Sequence, residues 1–342
     1  MRLLICTQAA DSTDPILGFF HRWIEEFAKH CDEVIVVAQR TGTYAFPKNV
    51  KVFSLGKEKG FSRPKQILEF FKIIWSEKDA YDAVFVHMSP EYILAGGVLW
   101  RLWMKKIMLW YTHKDVSMRL RVATYLADVV ATASKESFRL ASDKVRVVGH
   151  GIDTELFHPG IPTPGVGIRL LTVGRMSATK RVMEMLAVLD ELHARGKSFS
   201  ATFVGKPMTA EDLSYTKRFE KAIAEKTYAE KISVRESVSR EQIPALFSQA
   251  DIFLNFSTTG SLDKAVLEAM AMEVPPVTSN EAFRTMLEPH GLWVYATEPH
   301  IVAATIDHAL KQDDSVGLQL RNEVVEHHSL VKLIPTILKE FA

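Results

Sequence analysis

Residues 251–279 read DIFLNFSTTGSLDKAVLEAMAMEVPPVTS. DIFLNF is an apolar run of strand length, and STTGS is small and polar. From about Leu262 to Met272 apolar residues recur at helical spacing, and PPVTS returns to strand character. Neither strand has a polar face, so the stretch reads as one strand–helix–strand unit of a parallel sheet covered on both sides. Within the helix, Glu268 stands among Ala, Val, Leu and Met, an unusual place for a carboxylate.

The same alternation extends in both directions. Toward the amino terminus the strand-like runs are LLIC, EVIVVA, VKVFSL, AVFVHM, IMLWYTH, VVATA and VRVVGHG. Helical segments lie between several of them, such as Leu17–His30 and Pro64–Ser76. The second half adds RLLTVG, ATFVG, KISVRES, DIFLNF, PPVTS and LWVYA. HPGIPTPGVG, residues 158–167, interrupts the pattern with three prolines and three glycines and reads as a linker. With 342 residues the chain is long for one core. The expectation is a Rossmann-like domain over 1–157, the linker 158–167, a second such domain over 168–327, and a last helix over 328–342 that packs back on the first domain. The cleft between two such domains is the default ligand site.

Composition narrows the class. Apolar residues make up 47% and charged residues 24%, as in globular proteins. No apolar run approaches the ~20 residues of a membrane span, and MRLLICTQ enters a strand without a signal-peptide layout. Two cysteines, Cys6 and Cys31, offer neither a disulfide framework nor a metal spacing. A cytoplasmic setting is expected. Charge is uneven: residues 1–150 hold 22 Lys and Arg against 16 Asp and Glu, and the remainder 20 against 25. A basic first half suits an anionic partner such as the inner face of a membrane, although ordinary scatter would produce the same imbalance. LWRLWMKKIMLW (Leu99–Trp110) clusters Trp and Lys as membrane-surface segments do; the plainer reading, a helix end, a turn and a buried strand, is preferred.

The second half concentrates the chemistry. In LLTVGRMSATKRVMEML (Leu170–Leu186) a buried strand ends at Gly174, Arg175 follows, and Lys180 is expected in the first turn of the next helix. Open parallel sheets bind ligands at the carboxyl ends of their strands, so both cations would reach that site, Arg as a planar fork and Lys as a mobile point charge. The plainer reading of each alone is a solvated surface cation. In STTGSL, Gly260 permits close backbone approach, and the helix start near Ser261 and Leu262 attracts an anion. Two anion features at two strand ends suggest a diphosphate. Glu268 accepts hydrogen bonds only, which suits the vicinal hydroxyls of a ribose; a structural acid paired with a neighbouring cation is the alternative.

At these residues the chain resembles the retaining glycosyltransferases of family 4, which have the GT-B fold: α/β, two doubly wound parallel-sheet domains facing across a cleft. GRMSATK, LEAMAMEVPPVTS, GHGIDTELFHP and SVSREQIPALFSQADIFLNFS follow the family's order. The resemblance implies that Arg175 and Lys180 bind the donor diphosphate at the loop beginning with Gly174. It implies that Glu268 binds the donor ribose and that backbone near Ser237 and Val238 holds the base. It also gives His113, at the end of IMLWYTH, a contact with the donor sugar or reaction centre. His87 and Glu91 are weaker acceptor-side candidates. The family's first motif Glu falls at Gly260, and Asp263 and Lys264 occupy the middle of the motif as candidates for a sugar or phosphate contact. The implied substrates are a nucleotide-diphosphate sugar and a saccharide or lipid-linked acceptor, with no cofactor, no divalent metal and no nucleic acid. The alternatives are a non-catalytic nucleotide-sugar-binding protein, suggested by the missing Glu, and a GT-B nucleotide-sugar epimerase. A nicotinamide dehydrogenase is set aside, because no G-x-G-x-x-G follows the first strand.

Overall fold

The computed structural model describes residues 1–14, 16–161 and 165–341. The expected linker 158–167 therefore lies partly outside the described residues. The chain forms two compact units, residues 1–153 with 327–342, and residues 154–326.

The first unit runs β1 (Arg2–Ala10), α1 (Phe19–His30), β2 (Glu33–Thr41), β3 (Val50–Ser54), α2 (Arg63–Ser76), β4 (Ala83–His87), α3 (Pro90–Leu102), β5 (Lys106–Trp110), α4 (Met118–Leu126), β6 (Val129–Thr132) and β7 (Val145–Val147). Its strands form one parallel sheet in the order β3-β2-β1-β4-β5-β6-β7. Each of the seven runs expected in this half is a strand. They are apolar throughout because helices cover both faces: Leu3 to Cys6, Val34 to Ala38 and Val84 to Val86 have no solvent exposure.

The second unit runs β8 (Ile168–Val173), α5 (Val182–Ala194), β9 (Phe199–Val204), α6 (Ala210–Ala224), β10 (Ile232–Arg235), α7 (Ile243–Phe247), β11 (Ile252–Asn255), α8 (Lys264–Ala271), β12 (Pro276–Thr278), α9 (Arg284–Leu287), α10 (Pro299–Ala309) and α11 (Asp314–His327). Its sheet is also parallel, in the order β10-β9-β8-β11-β12. LWVYA does not extend it. That segment makes only an isolated bridge, Thr278 with Trp293, and passes into irregular chain whose Tyr295 is exposed. Two expected boundaries also shift. Lys180 lies in a single 3-10 turn, Ala178–Lys180, and α8 begins at Lys264 rather than Leu262.

The last helix, α12 (Leu330–Lys339), belongs to the first unit. Leu330, Leu333, Ile334 and Ile337 are its buried face, one turn apart, and it packs beside α1. Burial of each such side chain contributes about 2 kcal/mol. Ile152 and Leu330 anchor its start: Ile152 N donates to His328 O at 2.7 Å, and Leu330 N to Ile152 O at 2.7 Å. Gly151 is required here. A Cβ would stand 2.3 Å from the Trp23 ring, and the residue sits at φ +74°.

His328, at this junction, is buried, and burial, reinforced by neighbouring His327, lowers its pKa to about 4. In the unfolded chain it titrates near ~6.5. Below that pH the unfolded state takes up a proton that the folded state refuses. The stability contribution is therefore complete above pH ~6.5 and is lost progressively down to pH ~4. We expect about 2 kcal/mol of this loss between pH 7 and pH 5. His328→Leu should flatten that slope in urea unfolding; equal slopes for both proteins would remove His328 from the account.

Candidate active site

In both sheets the strand order reverses beside the first strand of the unit, and in the second unit that point lies between β8 and β11. The loops leaving their carboxyl ends, residues 174–181 and 256–263, frame the crevice where doubly wound sheets bind ligands. Thr258 N donates to Thr179 O at 3.1 Å and ties the two loops together. Gly260, at φ +63°, makes a left-handed turn that a side chain would disfavour. Beneath it, Asn280 Nδ2 donates to Ser261 O at 2.8 Å, and Thr278 Oγ1 donates to Asn255 Oδ1 at 3.3 Å.

Lys180 reaches across the crevice and forms an ion pair with Asp263. Asp263 also accepts from Asn255 Nδ2 at 3.0 Å and, as the N-cap of α8, from Ala265 N at 3.3 Å. Burial opposes its ionisation, but Lys180 and these donors outweigh burial and hold its carboxyl below the usual range. The helix start that sequence reading left open to an anion therefore already carries one. The reason is local: Asp is a preferred N-cap residue, and its charge favours the positive end of a helix. Arg175 is looser. Its side chain is half exposed and its Nε stands 3.7 Å from Asp212, itself fixed in a capping box with Thr209. Asp212 is buried, but at 3.7 Å the contact is too long for a hydrogen bond, and the half-exposed guanidinium stays accessible to a ligand.

Glu268 faces inward from the fifth position of α8 and is 4% exposed. Arg240 Nη1 meets its Oε1 at 3.2 Å, and the guanidinium lies over the Phe157 ring at 5.0 Å. Burial raises the Glu268 carboxyl above its ordinary pKa against the pull of Arg240 and Lys264. Lys264 is driven well below the ordinary lysine range, by burial first and then by the Arg240 charge. Sequence reading missed Arg240, Asn255 and Asn280. Only Arg240 carried a signal, as a cation inside SVSREQIP shortly before the motif. Ser237 and Val238 lie between β10 and the turn Arg240–Gln242 that carries this arginine.

The first-unit candidates separate. His113 lies three residues beyond the end of β5 rather than within it, is exposed, and accepts from Asp115 N at 3.3 Å. His87 ends β4 but points into the core. Its ring stacks on Phe20 at 3.9 Å between centroids, and its Nδ1 is 3.4 Å from Thr7 Oγ1. As an acceptor-side candidate His87 is therefore corrected to a core residue: a strand's last residue alternates faces like any other, and here its side chain faces α1. Glu91 opens α3, pairs with Arg119 at 3.2 Å, and lines a cavity of about 570 Å³ together with Gln8, Arg63, Phe70 and Tyr92. A second cavity, about 420 Å³ along β8, β9 and β10, touches none of these residues.

Residues 167–312, most of the second unit, match the model of the family described as glycosyl transferases group 1. A protein of Xanthomonas oryzae named GDP-mannose:cellobiosyl-diphosphopolyprenol alpha-mannosyltransferase is 29% identical over 177 residues, 50% of this chain and 44% of that protein. Its namesake from Xanthomonas campestris is 27% identical over 158 residues, 45% of this chain and 40% of that protein. The chain thus spans less than half the length of these two relatives. In structure it resembles Anabaena HepE, solved in complex with UDP and glucose: TM-score 0.75 over 99% of this chain and 98% of that one, at 16% identity. The fold class is GT-B, with two Rossmann-like units.

Asp263→Asn keeps a good N-cap residue while removing the counter-ion of Lys180. A nucleoside diphosphate should then bind about tenfold more tightly in isothermal titration, a gain of ~1.4 kcal/mol. Weaker binding would show that Asp263 holds Lys180 in position for the ligand instead of competing with it.

Proposed function

We propose that the protein is a retaining glycosyltransferase of family 4. It moves a hexose-type sugar from a nucleotide-diphosphate sugar to a saccharide or lipid-linked acceptor, without a divalent metal. The observation that carries this reading is the convergence of Arg175, Lys180 and the start of α8 on one crevice at the switch point, with Glu268 one turn below. The match of residues 167–312 to the glycosyl transferases group 1 model supports it, as do similar proteins named for a GDP-mannose donor and a diphosphopolyprenol acceptor.

On this reading the donor diphosphate lies between Arg175, Lys180 and the loop around Gly260 and Ser261. The base rests near Ser237 and Val238, and the ribose hydroxyls donate to Glu268. Cleavage at the anomeric carbon builds oxocarbenium character on the sugar and negative charge on the departing diphosphate. Fixed cations aimed at that charge stabilise the transition state more than the ground state, so two side-chain cations do the work a metal does elsewhere. The leaving phosphate takes the acceptor proton on the same face of the sugar, which retains configuration. His113 serves the sugar and Glu91 the acceptor side. The acceptor reaches the basic first unit, at an anionic membrane when it is lipid-linked.

Glu268→Gln keeps an acceptor for Arg240 but weakens charge-assisted bonds to the ribose, worth about 1.5–3 kcal/mol. Nucleotide affinity should fall about tenfold or more, whereas a 2′,3′-dideoxy nucleotide should bind both proteins alike. Equal binding of the normal nucleotide would make Glu268 a purely structural partner of Arg240.

Sugar transfer should continue in excess EDTA. Abolition by EDTA with rescue by Mg²⁺ or Mn²⁺ would mean that Arg175 and Lys180 do not replace a metal.

A further inference from the structure

Three helices of the first unit lie side by side, α2 and α4 each against α3. Each turns an apolar stripe outward. On α2 it is Leu68 and Trp75, seven residues apart; on α3, Leu94, Val98 and Leu102; on α4, Met118, Val122 and Tyr125. These spacings place each set on one helix face. Leu102 is 71% exposed, Tyr125 77%, and Met104, just past α3, 90%. Scattered exposed hydrophobics need no explanation, but aligned stripes on three adjacent helices mark an interaction surface.

Charge on the same helices is mainly positive. Six exposed cations, Arg63, Lys65, Lys72, Arg101, Arg119 and Arg121, outnumber two acids, Glu69, 3.8 Å from Lys72, and Glu91, 3.2 Å from Arg119. A second copy seated on this face would bring cations against cations. An anionic bilayer satisfies both features: headgroups meet the basic residues while Trp75, Tyr125 and the aliphatic stripes enter the interface. Among the described residues no helix is long and apolar enough to cross a membrane.

We infer that the outer face of α2, α3 and α4 is a docking surface for anionic lipid headgroups. The inference deepens the membrane contact proposed above, and rests on it, by assigning it a surface. The cavity beside Glu91 opens at the amino-terminal ends of these helices, where Arg63, Ile67, Ala95 and Arg119 line it. A lipid-linked acceptor would thus pass directly from the bilayer to that cavity.

The test is co-sedimentation of the full chain with vesicles of phosphatidylcholine alone or mixed with phosphatidylglycerol. Nucleoside diphosphate binding is measured on the same preparations, and circular dichroism confirms folding. Binding should require phosphatidylglycerol. Lys72→Gln with Arg121→Gln should lower the partition coefficient by roughly tenfold or more, at about fivefold per cation. Leu68→Ser with Leu102→Ser should lower it by a similar factor, and neither pair should change nucleotide affinity. Undiminished vesicle binding by both variants would overturn the assignment of this face while leaving a membrane contact in place. No vesicle binding by the wild-type chain, with nucleotide binding intact, would overturn the membrane contact and spare the donor site. Self-association abolished by the serine variant would assign the face to a second copy and overturn the inference.

Discussion

The ion pair of Lys180 with Asp263 joins the loops that leave the two central strands of the second unit. The rest of the site is arranged around it. Asp263 caps α8, so the same carboxylate that holds the lysine also fixes where the helix begins. Lys264 follows it, and Glu268 lies one turn further and meets Arg240. Along this line the charges run Lys180, Asp263, Lys264, Glu268, Arg240, alternating in sign. Alternation is what permits so many ionisable groups in one enclosed place, because an isolated buried charge costs several kcal/mol. Three potential cations against two anions leave the line favourable to a further negative group, and Arg175 stands nearby with only a loose partner.

The line also makes the site responsive. Burial drives Lys264 toward neutrality and raises Glu268, and each opposes the shift of the other. An incoming polyanion near Lys180 would stabilise every cation along it and compete with Asp263. Ribose hydroxyls at Glu268 would stabilise its ionised form by donating to it. Binding at either end would thereby favour the charge state that the other end requires. The base-side segment joins the same line, since Ser237 and Val238 lead into the turn that carries Arg240.

Sequence patterns carried most of the fold for a simple reason. Parallel strands covered on both faces are apolar throughout, and their short length and flanking turn residues set them apart from the helices between them. LWVYA shares the composition but not the pairing: β12 is only three residues long and offers it a single bridge partner. Side-chain direction was harder to read. His87 and His113 both follow strand-like runs, yet one turns into the aromatic cluster of α1 and the other lies beyond its strand in exposed loop. Arg240 was invisible as the partner of Glu268 because 28 residues and two elements separate them in the chain. Asp263 could be read as a polar residue near a phosphate site, but its partner Lys180 becomes apparent only once β8 and β11 are neighbours.

Leu99–Trp110 shows how a local reading and a surface can differ. The helix end, the turn and the buried strand are all present, and β5 is covered as expected. The residues that resemble a membrane segment are divided by the fold. Trp100 and Trp110 are in the core, while Leu102 and Met104 face out. The outward pair gains meaning only beside Leu68 and Trp75 of one neighbouring helix and Val122 and Tyr125 of the other. No single helix of the three has the length or moment of a membrane-bound peptide, so each would be dismissed alone. A surface of this kind is a property of the sheet that sets helices side by side. The excess of positive charge in residues 1–150 is its only trace in composition.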